Sequence, residues 1–277
     1  MTLLDIISNS CPLILCSLGA LYSEFAGVLA LFLEGMICLS GFLFFLFSTL
    51  TQNVVLGFLL TIISGSLITF LISLAIEKFK ANYFIAGTAT NLLFASIISC
   101  LSSIFFKTRG VLSSSLFSFN IVNVKIFIVI FSVVVFVLGI IFLYKTRNGL
   151  YLRITGDSPD VLLAKGCSPV KYRILAWNIA TFYGCISGCF LVLRIGSFVP
   201  NIASGRGWMA LAAVFLGQKK YWKIITSVLI FCATDYLSSN IQNYTQAIPQ
   251  SLLLALPYII CIILIFIKIP QHHQDQN

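Results

Sequence analysis

Charge is the scarcest property of this sequence. Of 277 residues only 9% are charged, 59% are hydrophobic, and the mean hydropathy is +1.04. A water-soluble domain carries about 25% charged residues. A chain this apolar cannot furnish a wetted surface, so its solvent is lipid. Catalytic side chains are equally thin. The two histidines sit side by side in a polar terminal stub, His272-His273, and Asp plus Glu total eight. No Ser-His-Asp set or H-E-x-x-H helix can be assembled, and there is no G-x-x-x-x-G-K-[ST] phosphate loop. The expectation is no catalytic residue, no metal site and no cofactor bound by this chain. The nine cysteines fall mostly inside apolar runs, where they behave as small hydrophobes. Cys185 and Cys189 share a helix face, but no His or carboxylate lies nearby to complete a metal site. The N-terminus has Asp5 where a secretory signal has a basic segment, so no cleavable signal is expected.

What is present is a series of long, unbroken apolar runs. They fall at about 11–23, 28–47, 54–76, 84–106, 124–144, 174–193, 207–217, 222–237 and 249–267. Backbone crossing a bilayer must be helical or part of a closed barrel. These runs lack the ten-residue alternation of barrel strands, so helices are expected. The reading is an all-α integral membrane protein, one transmembrane domain over residues 1–277, a polytopic bundle of eight or nine helices. Seven runs approach the length of a span; 11–23 and 207–217 are short and read as tilted, broken or re-entrant.

The net charge of +9 does not point to nucleic acid, because no basic patch is interleaved with aromatics. Excess Lys and Arg mark cytoplasmic loops beside anionic lipid. If all nine runs cross, Lys78, Lys80, Lys145, Arg147, Arg153, Lys165, Lys171, Arg173, Lys219, Lys220, Lys223 and Lys268 share one side, and Lys107, Arg109, Lys125, Arg194 and Arg206 the other. The richer side is read as cytoplasmic, which puts the N-terminus outside and the C-terminus inside.

The longest polar interruption is 145–173. Within it a helix is predicted over 159–165: Ser158 caps it with its side chain, Pro159 occupies the first helical position, Asp160 meets the positive dipole end, Lys165 closes the last turn and Gly166 offers a left-handed exit. Two turns with Val161-Leu162-Leu163-Ala164 in the middle can neither span a membrane nor stand alone in water. Such a helix has to dock, and a soluble partner transmitting force is the expected contact.

Two other stretches are unusual. Ser23 to Met36 and Gly196 to Trp208 are each short apolar pieces broken by glycine, each with an ionisable residue at or near membrane depth. Broken helices at corresponding places of two halves often mark a substrate path. The candidate residues are Glu34, Gly35, Ser204, Gly205, Arg206 and Gly207. Glu34 either lines the pathway or braces the bundle through helix-end N–H groups or Arg206; the bracing role is preferred, because an unpartnered carboxylate at this depth is costly.

Four blocks carry a family resemblance. Thr155-Gly-Asp-Ser-Pro-Asp-Val-Leu-Leu-Ala-Lys-Gly166 resembles the cytoplasmic coupling loop of ABC importer permeases. Ser197-Phe198 with Ser204-Gly-Arg-Gly-Trp208 through Gly217, the block Ser23-Glu24…Gly27-Val28…Leu33-Glu-Gly-Met36, and Ile248-Pro-Gln250 to Tyr258 are similar, in order, to patterns of the simple-sugar and nucleoside branch of that family, nearer its nucleoside type. The resemblance implies a type II-like permease subunit that translocates a nucleoside or simple sugar. It implies an ATPase partner binding ATP and Mg and gripping Ser158, Pro159, Asp160, Leu162, Leu163, Ala164, Lys165 and Gly166. It also implies a second permease, like or unlike this one, and an extracellular or lipid-anchored solute-binding protein. The alternative reading is a secondary transporter or channel working without an ATPase.

Overall fold

The computed structural model describes residues 3–244 together with 256, 258, 259, 262 and 263. The run predicted at 249–267, the block from Ile248, Lys268 and the His272-His273 stub fall largely or wholly outside them. The order is α1 (Leu3–Phe25), α2 (Leu33–Thr51), α3 (Val54–Lys78), α4 (Tyr83–Phe106), a two-residue strand β1 (Leu112–Ser113), α5 (Ile121–Lys145), α6 (Arg147–Asp157), α7 (Pro159–Ala164), α8 (Pro169–Ile195), β2 (Ser197–Phe198), α9 (Arg206–Leu216) and α10 (Tyr221–Tyr244). Among the described residues six helices, α1 to α5 and α8, are long and apolar enough to cross a membrane. α3, α4 and α5 each start at an asparagine whose Oδ1 accepts from the first turn: Asn53 from Val55 N at 2.9 Å, Asn82 from Phe84 N at 2.8 Å and Asn120 from Val122 N at 3.0 Å.

α1, α2 and α8 form the centre. Apolar surface alone cannot hold them together in lipid, so close approach through small residues does. A Cβ on Gly188 would lie 2.1 Å from Ser40 Oγ and 2.4 Å from the Ile37 carbonyl, so α2 and α8 touch backbone to backbone there. Ser40 Oγ donates to Ile37 O at 3.0 Å and to Gly184 O at 3.3 Å across the same seam. Aromatic packing closes the end near β1, where Phe45 stacks on Phe117 at 5.3 Å and Phe42 meets Phe198 edge-on at 5.5 Å. α3, α4 and α5 sit outside this centre with wide apolar faces bare, Ile63, Ile85 and Ile130 being 63%, 66% and 60% exposed; hydrocarbon is the solvent that suits them.

The two ends of the bundle differ in charge. At one end Arg173 pairs with Glu77 at 3.8 Å, Lys219 pairs with Glu24 at 3.5 Å, and Tyr144 meets Tyr221 at 5.8 Å. The connections 79–82, 146–168 and 217–220, with their basic residues, therefore gather there. At the other end β1 pairs antiparallel with β2, Lys125 bonds Asp5 and Arg194 bonds Asn9.

Several expectations need correcting. The short run 11–23 belongs to a 23-residue helix, α1, because its polar start is satisfied by Lys125 and Arg194 and by Ser10 Oγ bonding Ile6 O at 2.9 Å. The run 28–47 does not begin as helix: α2 starts at Leu33, after a turn at 26–32. The run 222–237 is extended to a 24-residue helix. α9 has 11 residues, about 16 Å at 1.5 Å per residue, or roughly half of a 30 Å hydrocarbon core. It nevertheless completes a traverse, since the chain is at one end at Ser197, paired to Ser113, and at the other at Lys219, paired to Glu24.

The polar stretch 145–173 holds a second helix that was not expected, α6, capped by Thr146 Oγ1 accepting from Gly149 N at 3.1 Å. The predicted short helix is Pro159–Ala164, with Lys165 as its C-cap. Ser158 does not cap it with its hydroxyl; the Ser158 carbonyl accepts from Val161 N at 3.2 Å instead. The exit is a Schellman motif: Cys167 N donates to Leu162 O at 3.0 Å, Gly166 N to Leu163 O at 2.9 Å, and Gly166 takes φ +73°.

Candidate translocation site

The two unusual stretches meet. α1 ends at Phe25 and the chain turns through Gly27, held by Ser23, whose carbonyl accepts from Val28 N at 3.0 Å and whose Oγ accepts from Ala30 N at 3.1 Å. α2 then starts at Leu33 inside the bundle. α8 ends at Ile195, and the chain runs through β2 and an irregular stretch before α9 starts at Arg206, also inside the bundle. Each stretch is thus a helix, a non-helical break and a helix that begins part-way through. The two pieces run in opposite senses, because α2 leads away from the basic end and α9 leads toward it.

A helix start leaves unsatisfied N–H groups and a positive dipole end. Freed backbone groups at membrane depth are tolerated only where protein or a water-filled cavity covers them, and here protein groups do so at both starts. One carboxylate serves the second: Glu34 Oε1 accepts from Gly205 N and Oε2 from Gly207 N, each at 2.7 Å. Gly205 has φ +84°, a conformation costly for side chains bearing Cβ, and a Cβ on Gly207 would fall 2.4 Å from Glu34 N. The two glycines let the α9 start close on the carboxylate. Glu34 also lies in the first turn of α2, where a negative charge favours the helix start.

The α2 start has its own partner, one that sequence reasoning did not single out. Asn91, on α4, accepts through Oδ1 from Gly35 N at 2.7 Å and donates through Nδ2 to Leu31 O at 2.6 Å. A Cβ on Gly35 would lie 2.8 Å from that Oδ1. The available signal was an amide in the middle of an apolar run, Thr88-Ala-Thr-Asn91-Leu-Leu.

The remaining candidates fall around this pair of helix starts. Ser204 is exposed, with Oγ 3.2 Å from Asn201 O. Arg206 does not bond Glu34; its guanidinium lies 3.3 Å from Ala203 O, and with Asn9 and Asp235 it faces a narrow void. The charge count reads Arg206 as an outer-side loop residue; it sits instead at the α9 start, half-buried. Ser158 to Gly166 lie apart, on and around α7 at the basic end. Leu162 is buried, whereas Val161 and Leu163 are exposed.

Beside Glu34 and Asn91 opens a cavity of about 420 Å³, walled by α2, α4, α9 and the break before α9. Glu34, Gly35, Asn91, Ser99, Asn201 and Trp208 contribute to a lining that is otherwise apolar. The volume falls within the range of small-molecule sites, about 300–1,000 Å³. Among the described residues no group of three or more potential metal ligands occurs.

Broken helices facing each other inside a multi-pass bundle, next to a solute-sized cavity, suit a membrane permease. The chain belongs to the family described as branched-chain amino acid transport system / permease component, whose model matches residues 2–266. It is accordingly an ABC transporter permease. Relatives include the nucleoside ABC transporter permease protein NupC of Lactococcus lactis, 26% identical over 95% of this chain and 92% of its own length. The guanosine ABC transporter permease protein NupQ of Bacillus subtilis is 26% identical over 91% and 86%. The putative glucose ABC transporter permease protein TsgC13 of Haloferax volcanii is 26% identical over 88% and 78%. The fold also matches a chain in the structure of PsaBC from Streptococcus pneumoniae in complex with Fab, with TM-score 0.58, 15% identity, and 97% and 92% of the two chains covered.

Proposed function

We propose that this chain is the permease subunit of an importer for an uncharged polar solute, a nucleoside or a simple sugar, and that the cavity beside Glu34 lies on its route. The observation carrying the reading is the pair of hydrogen bonds that Glu34 accepts from the α9 start, seen with Asn91 on the α2 start. Helix starts in broken membrane helices can receive the carboxylate of a solute. Here both are already occupied by the protein's own groups, and the one acidic side chain on the cavity wall is itself engaged. Among the described residues of the wall, a zwitterionic amino acid finds no charged group that is not already hydrogen-bonded to the protein. A solute with an apolar face and hydroxyl edges finds the Trp208 ring, the Asn201 amide and Ser99. The names of the nucleoside and guanosine relatives point the same way.

Energy enters from the basic end, which is cytoplasmic in this reading, with the N-terminus outside and the C-terminus inside. Val161 and Leu163 on α7 are 48% and 58% exposed on a connection beyond the spans, where no lipid tail is expected to cover them. A groove of a cytoplasmic ATPase covers them, with Pro159, Asp160, Ala164, Lys165 and Gly166 at its rim and ATP and Mg on that partner. A second permease and a solute-binding protein complete the assembly.

Ala164→Cys tests the docking: with a single engineered cysteine on the ATPase groove it is expected to crosslink, whereas Gly110→Cys at the opposite end is not. Proteoliposomes of the complex are expected to take up labelled uridine or glucose only with internal ATP, and excess leucine is not expected to compete. Uptake that persists without ATP and without a second subunit would favour a secondary transporter or channel.

A further inference from the structure

α6 touches the α1–α2 turn with no side chain between them. A Cβ on Gly156 would lie 2.3 Å from Phe25 O and 2.9 Å from Gly27 N, and a Cβ on Gly27 would lie 3.2 Å from the Gly156 Cα. Gly27 has φ +72°. The contact is therefore backbone against backbone, which leaves no flexible side chain to absorb a displacement. The turn itself is stiffened by the two Ser23 bonds. From this turn the chain reaches α9 at both ends. Glu24 pairs with Lys219 just beyond the α9 C-terminus, and the Lys219 ammonium lies 5.8 Å from the centre of the Phe25 ring. Ten residues after Glu24, Glu34 holds the α9 N-terminus through Gly205 and Gly207. Residues 24–34 thus form a bracket around α9, and α6 presses on its closed end. α6 adjoins α7, and it is tied to α5 by Arg153 over the Tyr144 ring at 5.0 Å.

We propose that this bracket is the transmission piece of the permease: a displacement of α6 and α7 passes through the Gly27–Gly156 contact to residues 24–34, and through Glu24 and Glu34 moves α9, with Trp208, as one body against the cavity. The proposal rests on α7 being the helix the ATPase grips. It makes Gly156 a positioning residue, distant from solute and nucleotide alike. It also explains why glycine stands on both sides of the contact, since a methyl group on either would hold the two backbones apart.

The test uses the assembled permease–ATPase complex in proteoliposomes, measuring uptake and ATP hydrolysis together. Gly156→Ala is expected to lower solute moved per ATP by about tenfold while hydrolysis and co-purification of the ATPase persist. Gly57→Ala, a comparably tight glycine on the α2–α3 seam (Cβ 2.1 Å from Ser48 Oγ), is the packing control and is expected to keep the ratio. Should Gly156→Ala fail to assemble, the paired variant Glu24→Gln with Lys219→Gln cuts the bracket at its surface end without adding an atom, and the same fall in ratio is expected. Normal coupling in an assembled Gly156→Ala complex, or in the paired variant where that one does not assemble, overturns the proposal, as does an equal loss in Gly57→Ala. An ATPase that never co-purifies with the unaltered chain defeats the docking of α7 itself, and the transmission role falls with it.

Discussion

At the scale of single residues, Glu34 concentrates the consequences. Its two oxygens accept two backbone N–H groups at a half-buried position on the cavity wall. Glu34→Gln preserves size but offers one acceptor oxygen and one NH₂ group, so Gly205 N or Gly207 N loses its partner. A buried unsatisfied donor costs about 1–3 kcal/mol. Thermal unfolding of the detergent-purified permease is therefore expected to shift by about 2 kcal/mol, and uptake is expected to fall several-fold. Glu34→Asp, one methylene shorter, cannot reach both donors without moving α2 and is expected to behave like Gln. Retention of full stability in both variants would mean that the α9 start has another partner. The bracing role of Glu34 is one that the residue's position could suggest. The choice of N–H groups over Arg206 could not be read, because it depends on two glycines 171 and 173 positions away. Asn91 shows the same limit: an amide in an apolar run signals a partner, but not that the partner is the α2 start.

At the scale of elements, the seam between α2 and α8 is the tightest in the centre. Gly188→Ala places a methyl group 2.1 Å from Ser40 Oγ and 2.4 Å from Ile37 O. Overpacking of this kind costs about 1–3 kcal/mol. A lower midpoint in a heat-dependent aggregation assay is expected, with Gly110→Ala, whose nearest neighbour is Thr108 Oγ1 at 3.5 Å, unchanged. Long apolar helices were legible because a span needs little beyond length and hydropathy: α3, α4 and α5 lie within a few residues of their expected runs. Elements that depend on tertiary partners were not. α6 buries Gly149, Leu152 and Thr155, a three-residue spacing with one strongly apolar member, so its hydrophobic period is silent and Arg147-Asn-Gly149 reads as loop. The beginning of α2 was misplaced for the opposite reason. Apolar composition continues back to Val28, and only the Gly27 turn and the Asn91 bonds show where helix begins.

For the whole molecule, charge divides the ends more cleanly than hydropathy divides the helices. Connections rich in Lys and Arg converge at the end carrying α6 and α7, while β1 and β2 close the other. In intact cells a membrane-impermeant maleimide is expected to label Thr108→Cys and to leave Lys165→Cys unmodified until the membrane is opened; the reverse pattern would invert the orientation proposed above. Among the described cysteines Cys100 and Cys167 are not buried, so these and Cys261, which lies outside the described residues, need prior replacement by serine.

α9 fills about half of the apolar thickness, and the line is continued to the opposite surface by the irregular stretch 196–205. On that flank the molecule is sealed by a partition rather than by a full wall. A partition of such depth can be breached by shifting one short rod a few ångströms, with no need to unpack the Phe-lined centre. That economy of movement suits a bundle whose buried polar groups are mostly hydroxyls bonded back to their own helices, as Ser17, Thr61 and Thr181 are.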